Sequence, residues 1–194
     1  MASSLTLVSA SALVFLLLQY VHVSESRDAP TFSDDLVRSS CVHASYPDIC
    51  LHTLSSYPDP PTTPREVAQA GVKVSLAHAK KFSNYLTEQK GGKKREKTAL
   101  KDCLEQMGDS MYELDRTLSE LEDLKEGSGF RFQMSNAETW VSSALSDDET
   151  CLDSLWEAAG KGKPKEDVRK RVVAVAKVTS NALYLINQLD AKRG

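Results

Sequence analysis

The chain has 194 residues, of which 41% are hydrophobic, and its 24 Lys and Arg against 27 Asp and Glu give a net charge of −3 at pH 7. This length is enough to bury one substantial hydrophobic core. The nearly balanced charge argues against nucleic acid or an anionic membrane surface as the main partner.

Residues 1–26 are typical of a secretory signal peptide. An apolar run covers 11–18, charge is almost absent around it, and the small residues Ser24 and Ser26 stand at plausible cleavage positions. A membrane anchor is the alternative, which the short apolar run disfavours. We expect cleavage after Ser26, a secreted protein with no membrane attachment, and a mature domain over 27–194.

Four cysteines in an oxidising compartment favour two disulfides, for which three pairings are possible. Cys41 and Cys50 bracket a turn signal at 46–48. Short helices are predicted on both sides of that turn, over 34–39 and 51–57, before a proline-rich link. Residues 34–62 are therefore predicted to form a small N-terminal helical hairpin.

Four longer amphipathic helices are predicted over 63–190. The first begins with a capping box, in which Thr63 is the cap, Pro64 fills the first turn and Glu66 the third position. The strongly basic loop 90–97 is either a solvated connection or an electrostatic dock for an acidic polysaccharide or acidic partner. Short connections between the helices predict an all-α fold, an up-down-up-down antiparallel four-helix bundle.

The second and third long helices carry one cysteine each. Apolar residues recur every three or four positions along both helices, and Gly127-Ser128-Gly129 separates them. Because position 127 is midway between Cys103 and Cys151, an antiparallel hairpin that turns there brings the two cysteines level. This geometry favours a Cys103–Cys151 disulfide and leaves Cys41–Cys50 to close the N-terminal hairpin. A zinc site is disfavoured because the cysteine spacings do not match zinc-ligand patterns.

The sequence shows no catalytic constellation. Oxidised cysteines offer no thiolate nucleophile, and the three histidines of the mature chain are not spaced as a ligand cluster. Neighbouring acids such as Asp147 and Asp148 point apart on a helix, so they do not converge as general acid–base catalysis requires. Trp140 and Trp156 are interpreted as packing residues. These observations predict no enzyme, no metal and no cofactor, but a secreted binding module whose rigidity lowers the cost of association.

Four segments carry motifs that can be compared with known families. They are Cys41 and Cys50 around Tyr46-Pro47, ALKDCLE at 99–105, WVSSAL at 140–145 followed by TCLD at 150–153, and TSNAL at 179–183. Together they resemble the plant invertase and pectin methylesterase inhibitors, and the resemblance covers 40–189. Met107 is a departure, because the family often has Tyr at that position.

The resemblance implies a secreted protein of the plant cell wall, or apoplast, with the hairpin, the bundle and both disulfides. Its pectin methylesterase branch binds the enzyme one to one and covers the cleft that takes the substrate. The motifs carry the enzyme-binding role to Glu105, Asp109, Thr150 and Asp153. The alternative for each of these residues is a helix cap, a surface acid or an internal hydrogen bond.

Three other functions remain open at this stage. Inhibitors of acid invertase resemble one another in a Pro-Lys-Phe segment between the cysteine-bearing helices, which is missing from 125–130 here. A pro-region of a pectin methylesterase is a second possibility. The chain ends at Gly194 without a catalytic domain, which argues against it. An enzyme or small-ligand carrier is the third, and it would need a polar cavity inside the bundle.

Overall fold

The computed structural model describes residues 32–89, 92–159 and 166–191, which form six α-helices and no strand. In chain order the helices are α1 (Phe32–Cys41), α2 (Pro47–Ser55), α3 (Pro64–Thr87), α4 (Lys94–Glu122), α5 (Ser128–Ala159) and α6 (Glu166–Ala191). The predicted all-α class is confirmed. The predicted signal peptide lies outside the described residues, and none of the described helices is long and apolar enough to cross a membrane.

The short helices α1 and α2 form the N-terminal hairpin, which packs on α3 and α6. A disulfide joins Cys41 to Cys50 with a Cα–Cα distance of 5.5 Å. Residues 46–48 are not a turn, as the sequence suggested, but the beginning of α2, with Tyr46 as N-cap and Pro47 in the first turn. The fixed φ of proline suits both a turn and the first turn of a helix, which is why the signal was ambiguous.

The helices α3 to α6 form a ring in which each packs on the next and α6 packs on α3. Contacts between helix ends give the directions. Arg65 at the start of α3 donates to main-chain carbonyls at the end of α4, and Arg95 at the start of α4 donates to the Glu157 carbonyl at the end of α5. Arg171 near the start of α6 stacks over Tyr85 near the end of α3. These antiparallel neighbours fit the predicted up-down-up-down bundle.

The start of α3 has the local chemistry that the sequence predicts. Thr63 is the N-cap, and its hydroxyl accepts from the backbone N–H of Glu66 at 3.2 Å. The Glu66 carboxylate accepts in turn from the backbone N–H of Thr62 at 2.7 Å. This hydrogen bond lowers the pKa of Glu66.

The α4–α5 hairpin turns at Gly127, whose φ of +76° lies in the left-handed region that favours glycine. A disulfide joins Cys103 to Cys151 with a Cα–Cα distance of 4.3 Å, and both cysteines are fully buried. The two disulfides use all four cysteines, in the pairing that the spacing favours.

Asp148 interrupts the apolar stripe of α5 because it belongs to a buried polar triad. Ser110 on α4 donates to its Oδ1 at 2.9 Å, and Thr179 on α6 donates to its Oδ2 at 2.8 Å. All three side chains are fully buried. Burial raises the pKa of Asp148 to about 7. The triad therefore connects three helices through one buried carboxyl group.

Candidate functional site

The α4–α5 pair carries a large excess of acidic residues. The segment 102–157, which contains most of both helices, carries 15 Asp and Glu but only three Lys and Arg. Side chains spaced by three or four residues share one side of a helix, so each helix contributes one stripe. We call this surface the α4–α5 face, formed by Asp109, Tyr112, Glu113 and Arg116 on α4 and by Trp140, Ser143 and Asp147 on α5.

Two carboxyl groups meet at the centre of the face. Glu113 Oε2 and Asp147 Oδ2 are both closed off from solvent and accept no hydrogen bond from a donor in the described part of the chain. Burial, and then the charge of Asp147, raise the pKa of Glu113 to about 7. Burial also raises the pKa of Asp147, and the nearby Asp109 acts in the same direction. Because two buried like charges repel, the pair retains a proton below about neutral pH.

An arginine lies between two aromatic rings at one end of the face. Arg116 Cζ is 5.0 Å from the ring centroid of Trp140 and 5.9 Å from that of Tyr112. Its Nη1 also donates to the Tyr112 hydroxyl at 3.3 Å. Tyr112 remains 59% exposed. Trp, Tyr and Arg dominate binding energy at many protein interfaces, and an arginine already held in place loses less entropy on association.

All four residues to which the resemblance assigns enzyme binding are exposed on α4 or α5. Asp109 lies close enough to the carboxyl pair to act on its pKa values. Glu105 forms a salt bridge with Lys101 at 3.3 Å, and the Thr150 hydroxyl donates to the Ser146 carbonyl at 2.8 Å. Among the described residues, none of the four bonds to another of them. The structure thus brings Asp109 into the central cluster and leaves Glu105, Thr150 and Asp153 on the surrounding surface.

Sequence reasoning missed Glu113 and the grouping of Arg116 with two aromatic rings. The rule that makes Cys103 level with Cys151 places Arg116 level with Glu138, two residues from Trp140, so part of that signal was present. The packing interpretation is wrong for Trp156, which is 44% exposed. Within the described ranges, no three His, Cys, Asp or Glu side chains are grouped so that they could hold a metal ion.

Comparisons with known proteins agree with this architecture. The profile of a family described as plant invertase/pectin methylesterase inhibitor matches residues 35–185. Pectinesterase inhibitor 3 of Arabidopsis thaliana is 50% identical over 170 residues, which cover 84% of this chain and 82% of the relative. The 21 kDa protein of Daucus carota is 41% identical over 191 residues, 95% of this chain and 97% of the relative. A crystal structure of a mutant pectin methylesterase inhibitor from Arabidopsis, 20% identical, superposes with a TM-score of 0.62 over 76% of this chain and 92% of that chain.

Proposed function

The chain belongs to the plant invertase/pectin methylesterase inhibitor family, and from this premise we propose that it inhibits a pectin methylesterase by covering the cleft that binds pectin. The observation that carries the choice of target is the 50% identity to a pectinesterase inhibitor over most of both chains. The loop between α4 and α5 also lacks the Pro-Lys-Phe segment of invertase inhibitors. A family of inhibitors gives no reason to assign an enzymatic activity to the chain.

The α4–α5 face is the surface that we propose for enzyme binding. Hydrolysis of a pectin methyl ester leaves a carboxylate, so the cleft of the enzyme must accept a polymer that becomes negatively charged. A face rich in carboxylates is complementary to such a cleft, and complementary charge speeds association and fixes the register of the complex. The fully buried Cys103–Cys151 disulfide joins the two helices behind the face, which keeps the surface rigid.

Within that surface, we propose that Asp109 and Arg116 contribute most, because both belong to the central arrangement of carboxyl groups and aromatic rings. Glu105, Thr150 and Asp153 are proposed as surrounding contacts. Exposed polar groups at the rim of an interface generally contribute less than groups at its centre.

The target is tested by titrating the purified mature protein against a plant pectin methylesterase and, separately, against an acid invertase. We expect loss of pectin methylesterase activity alone. Loss of invertase activity alone would overturn the proposed target, and loss of neither activity would overturn the proposed function.

The face is tested with single alanine variants. Asp109→Ala and Arg116→Ala should each raise the inhibition constant by about tenfold, and Thr150→Ala and Asp153→Ala by less. Asp115→Ala is the matched control, an exposed acid on a different side of α4. Melting temperatures should stay close to that of the unmodified protein. Unchanged inhibition by both Asp109→Ala and Arg116→Ala would reject this face, whereas a large drop in melting temperature would assign the residue to folding.

We further propose a one-to-one complex in the cell wall, reached by secretion after removal of residues 1–26. The mature domain over 27–194 would then comprise the hairpin of 34–62 and the bundle of 63–190. Light scattering of the purified complex gives its stoichiometry, and N-terminal sequencing of the protein from plant extracellular fluid gives the cleavage site. A complex of another composition, or a mature N-terminus inside α1, would contradict these assignments.

A further inference from the structure

Most of the Lys and Arg residues of the chain fall in two segments of the sequence, and 10 of the 17 that the structure describes lie in these segments. The segments 80–101 and 157–171 together hold 14 of the 24 Lys and Arg but only five of the 27 Asp and Glu. The remaining residues therefore carry a large excess of negative charge, although the chain as a whole has a net charge of only −3. Positive charge is thus concentrated in two segments of the chain, and the rest of the sequence is acidic.

The two segments meet because neighbouring helices are antiparallel. The ends of α3 and α5 therefore lie beside the starts of α4 and α6. Arg95 Nη2 donates to the carbonyl of Glu157 at 3.2 Å, which fixes the start of α4 against the end of α5. Arg171 Cζ lies 4.0 Å from the ring centroid of Tyr85, which fixes the start of α6 against the end of α3. We call the exposed side chains of Lys93, Lys94, Arg95, Lys97 and Arg171 the basic end.

The lysines of the basic end form no salt bridge with the acids that the structure describes. Among the described residues, Lys93, Lys94 and Lys97 form no salt bridge, in contrast with Lys101 and Lys170, which pair with carboxylates of their own helices. Beside these lysines, a groove of about 280 Å³ runs between the start of α4 and the end of α5, and its lining includes Lys94, Arg95, Asp102 and Glu157. Because two cations and two acids balance in this lining, the excess positive charge lies on Lys93 and Lys97 beside the groove.

The basic end is distant from the centre of the α4–α5 face. Lys94 and Glu113 are separated by 19 residues of one helix, which corresponds to about 28 Å at 1.5 Å per residue. The Debye length at physiological ionic strength is about 8 Å, so exposed charges at this separation barely act on each other. A ligand on the lysines of the basic end therefore leaves the centre of the α4–α5 face open.

We infer that the basic end binds de-esterified homogalacturonan, the polyanionic form of pectin. The choice of ligand rests on the proposed function, because the target enzyme converts neutral methyl esters into carboxylates and so produces this polymer. Methyl-esterified pectin offers the basic end no charge, whereas the product offers a row of carboxylates. The inhibitor then collects where pectin has already been de-esterified, with its acidic face available to the enzyme.

Affinity electrophoresis at pH 7 tests this inference on the purified mature chain, in gels that contain either polygalacturonate or fully methyl-esterified pectin. The test variant is Lys93→Gln/Lys94→Gln/Lys97→Gln. The matched control is Lys73→Gln/Lys125→Gln/Arg131→Gln, which removes the same charge at the opposite end of the bundle. The melting temperatures of both variants are measured alongside.

We expect the unmodified chain to be retarded by polygalacturonate at low ionic strength, much less at high ionic strength, and not by methyl-esterified pectin. The test variant should lose affinity by about tenfold and the control by less than about twofold, because local charge rather than net charge decides binding. Equal losses in the two variants, or equal retardation by both polymers, would overturn the inference.

Inhibition of pectin methylesterase by the same two variants separates the two proposals. If the test variant still inhibits pectin methylesterase but no longer binds polygalacturonate, the result supports both the α4–α5 face and a separate basic end. Polygalacturonate binding by a chain that inhibits no pectin methylesterase would reject the proposed function alone, and inhibition without any polygalacturonate binding would reject the basic end alone.

Discussion

The two halves of the bundle differ in how completely one group of polar atoms in each is hydrogen-bonded. On the α3–α6 half, Asn181 Oδ1 accepts from the Tyr46 N–H at 2.9 Å and its Nδ2 donates to the Tyr46 carbonyl at 3.0 Å, which fastens the hairpin to the bundle. On the α4–α5 half, Glu113 Oε2 and Asp147 Oδ2 are buried without a hydrogen-bond partner among the described residues. The Asn181 contact is matched internally, whereas the carboxyl pair lies beside Asp109, Tyr112 and Arg116, which are exposed to a partner.

The largest expected effect comes from removing the disulfide of each half. Cys103–Cys151 closes a sequence separation of 48 residues and Cys41–Cys50 one of nine. Loss of loop-closure entropy from the unfolded chain then predicts a stabilisation of about 4 kcal/mol for the first and about 3 kcal/mol for the second. Urea unfolding of the Cys103→Ala/Cys151→Ala and Cys41→Ala/Cys50→Ala variants checks the order. A greater loss of unfolding free energy in Cys41→Ala/Cys50→Ala than in Cys103→Ala/Cys151→Ala would contradict the expected order.

The next effect is a pH dependence caused by Asp148. Its folded pKa of about 7 lies above the ordinary value of a carboxyl group, so the folded chain holds a proton that the unfolded chain releases. Its contribution to stability is therefore complete below about pH 4 and is lost as the pH rises through about 7. Between about pH 5 and 6 this one group should lower the unfolding free energy by about 1.4 kcal/mol per pH unit, and by less as the pH approaches 7.

Denaturant unfolding at several pH values compares Asp148→Asn with Glu149→Gln, a change at the exposed neighbour. The Asn variant should show a flatter pH profile, because its amide does not titrate, and the Gln variant should keep the slope of the unmodified protein. Equal slopes in all three proteins would show that Asp148 keeps an ordinary pKa despite its burial.

The smallest of the three effects is expected at the junction between hairpin and bundle. Asn181→Ala leaves both backbone groups of Tyr46 without their partner and should cost about 2 kcal/mol of unfolding free energy. Amide exchange should accelerate in α1 and α2, while inhibition of the enzyme stays unchanged. Asn187→Ala, at an exposed position of α6, is the control. Weakened inhibition by Asn181→Ala would mean that the two halves are not independent.

Helical periodicity and the position of Gly127 were enough to predict the bundle, because side chains at three- and four-residue spacing mark one buried side of each helix. Those signals belong to single helices. The carboxyl pair and the Arg116 cluster depend on how far two helices are rotated and shifted against each other, which periodicity within one helix does not specify. The prediction that Trp156 is a packing residue was wrong for the same reason, because an apolar residue is buried only where a neighbouring helix covers it.

Side chains of α3 donate hydrogen bonds to the carbonyl groups at the end of α4. Arg65 donates to the carbonyls of Leu121, Glu122 and Leu124, and Gln69 donates to the Leu121 carbonyl at 2.9 Å. The last carbonyl groups of a helix have no hydrogen-bond donor within that helix, and here side chains of α3 supply the donors. A folding intermediate with α4 formed and α3 detached would leave these carbonyls to water alone. Assembly of the two helices is thereby coupled, and partly built bundles are disfavoured against the complete one.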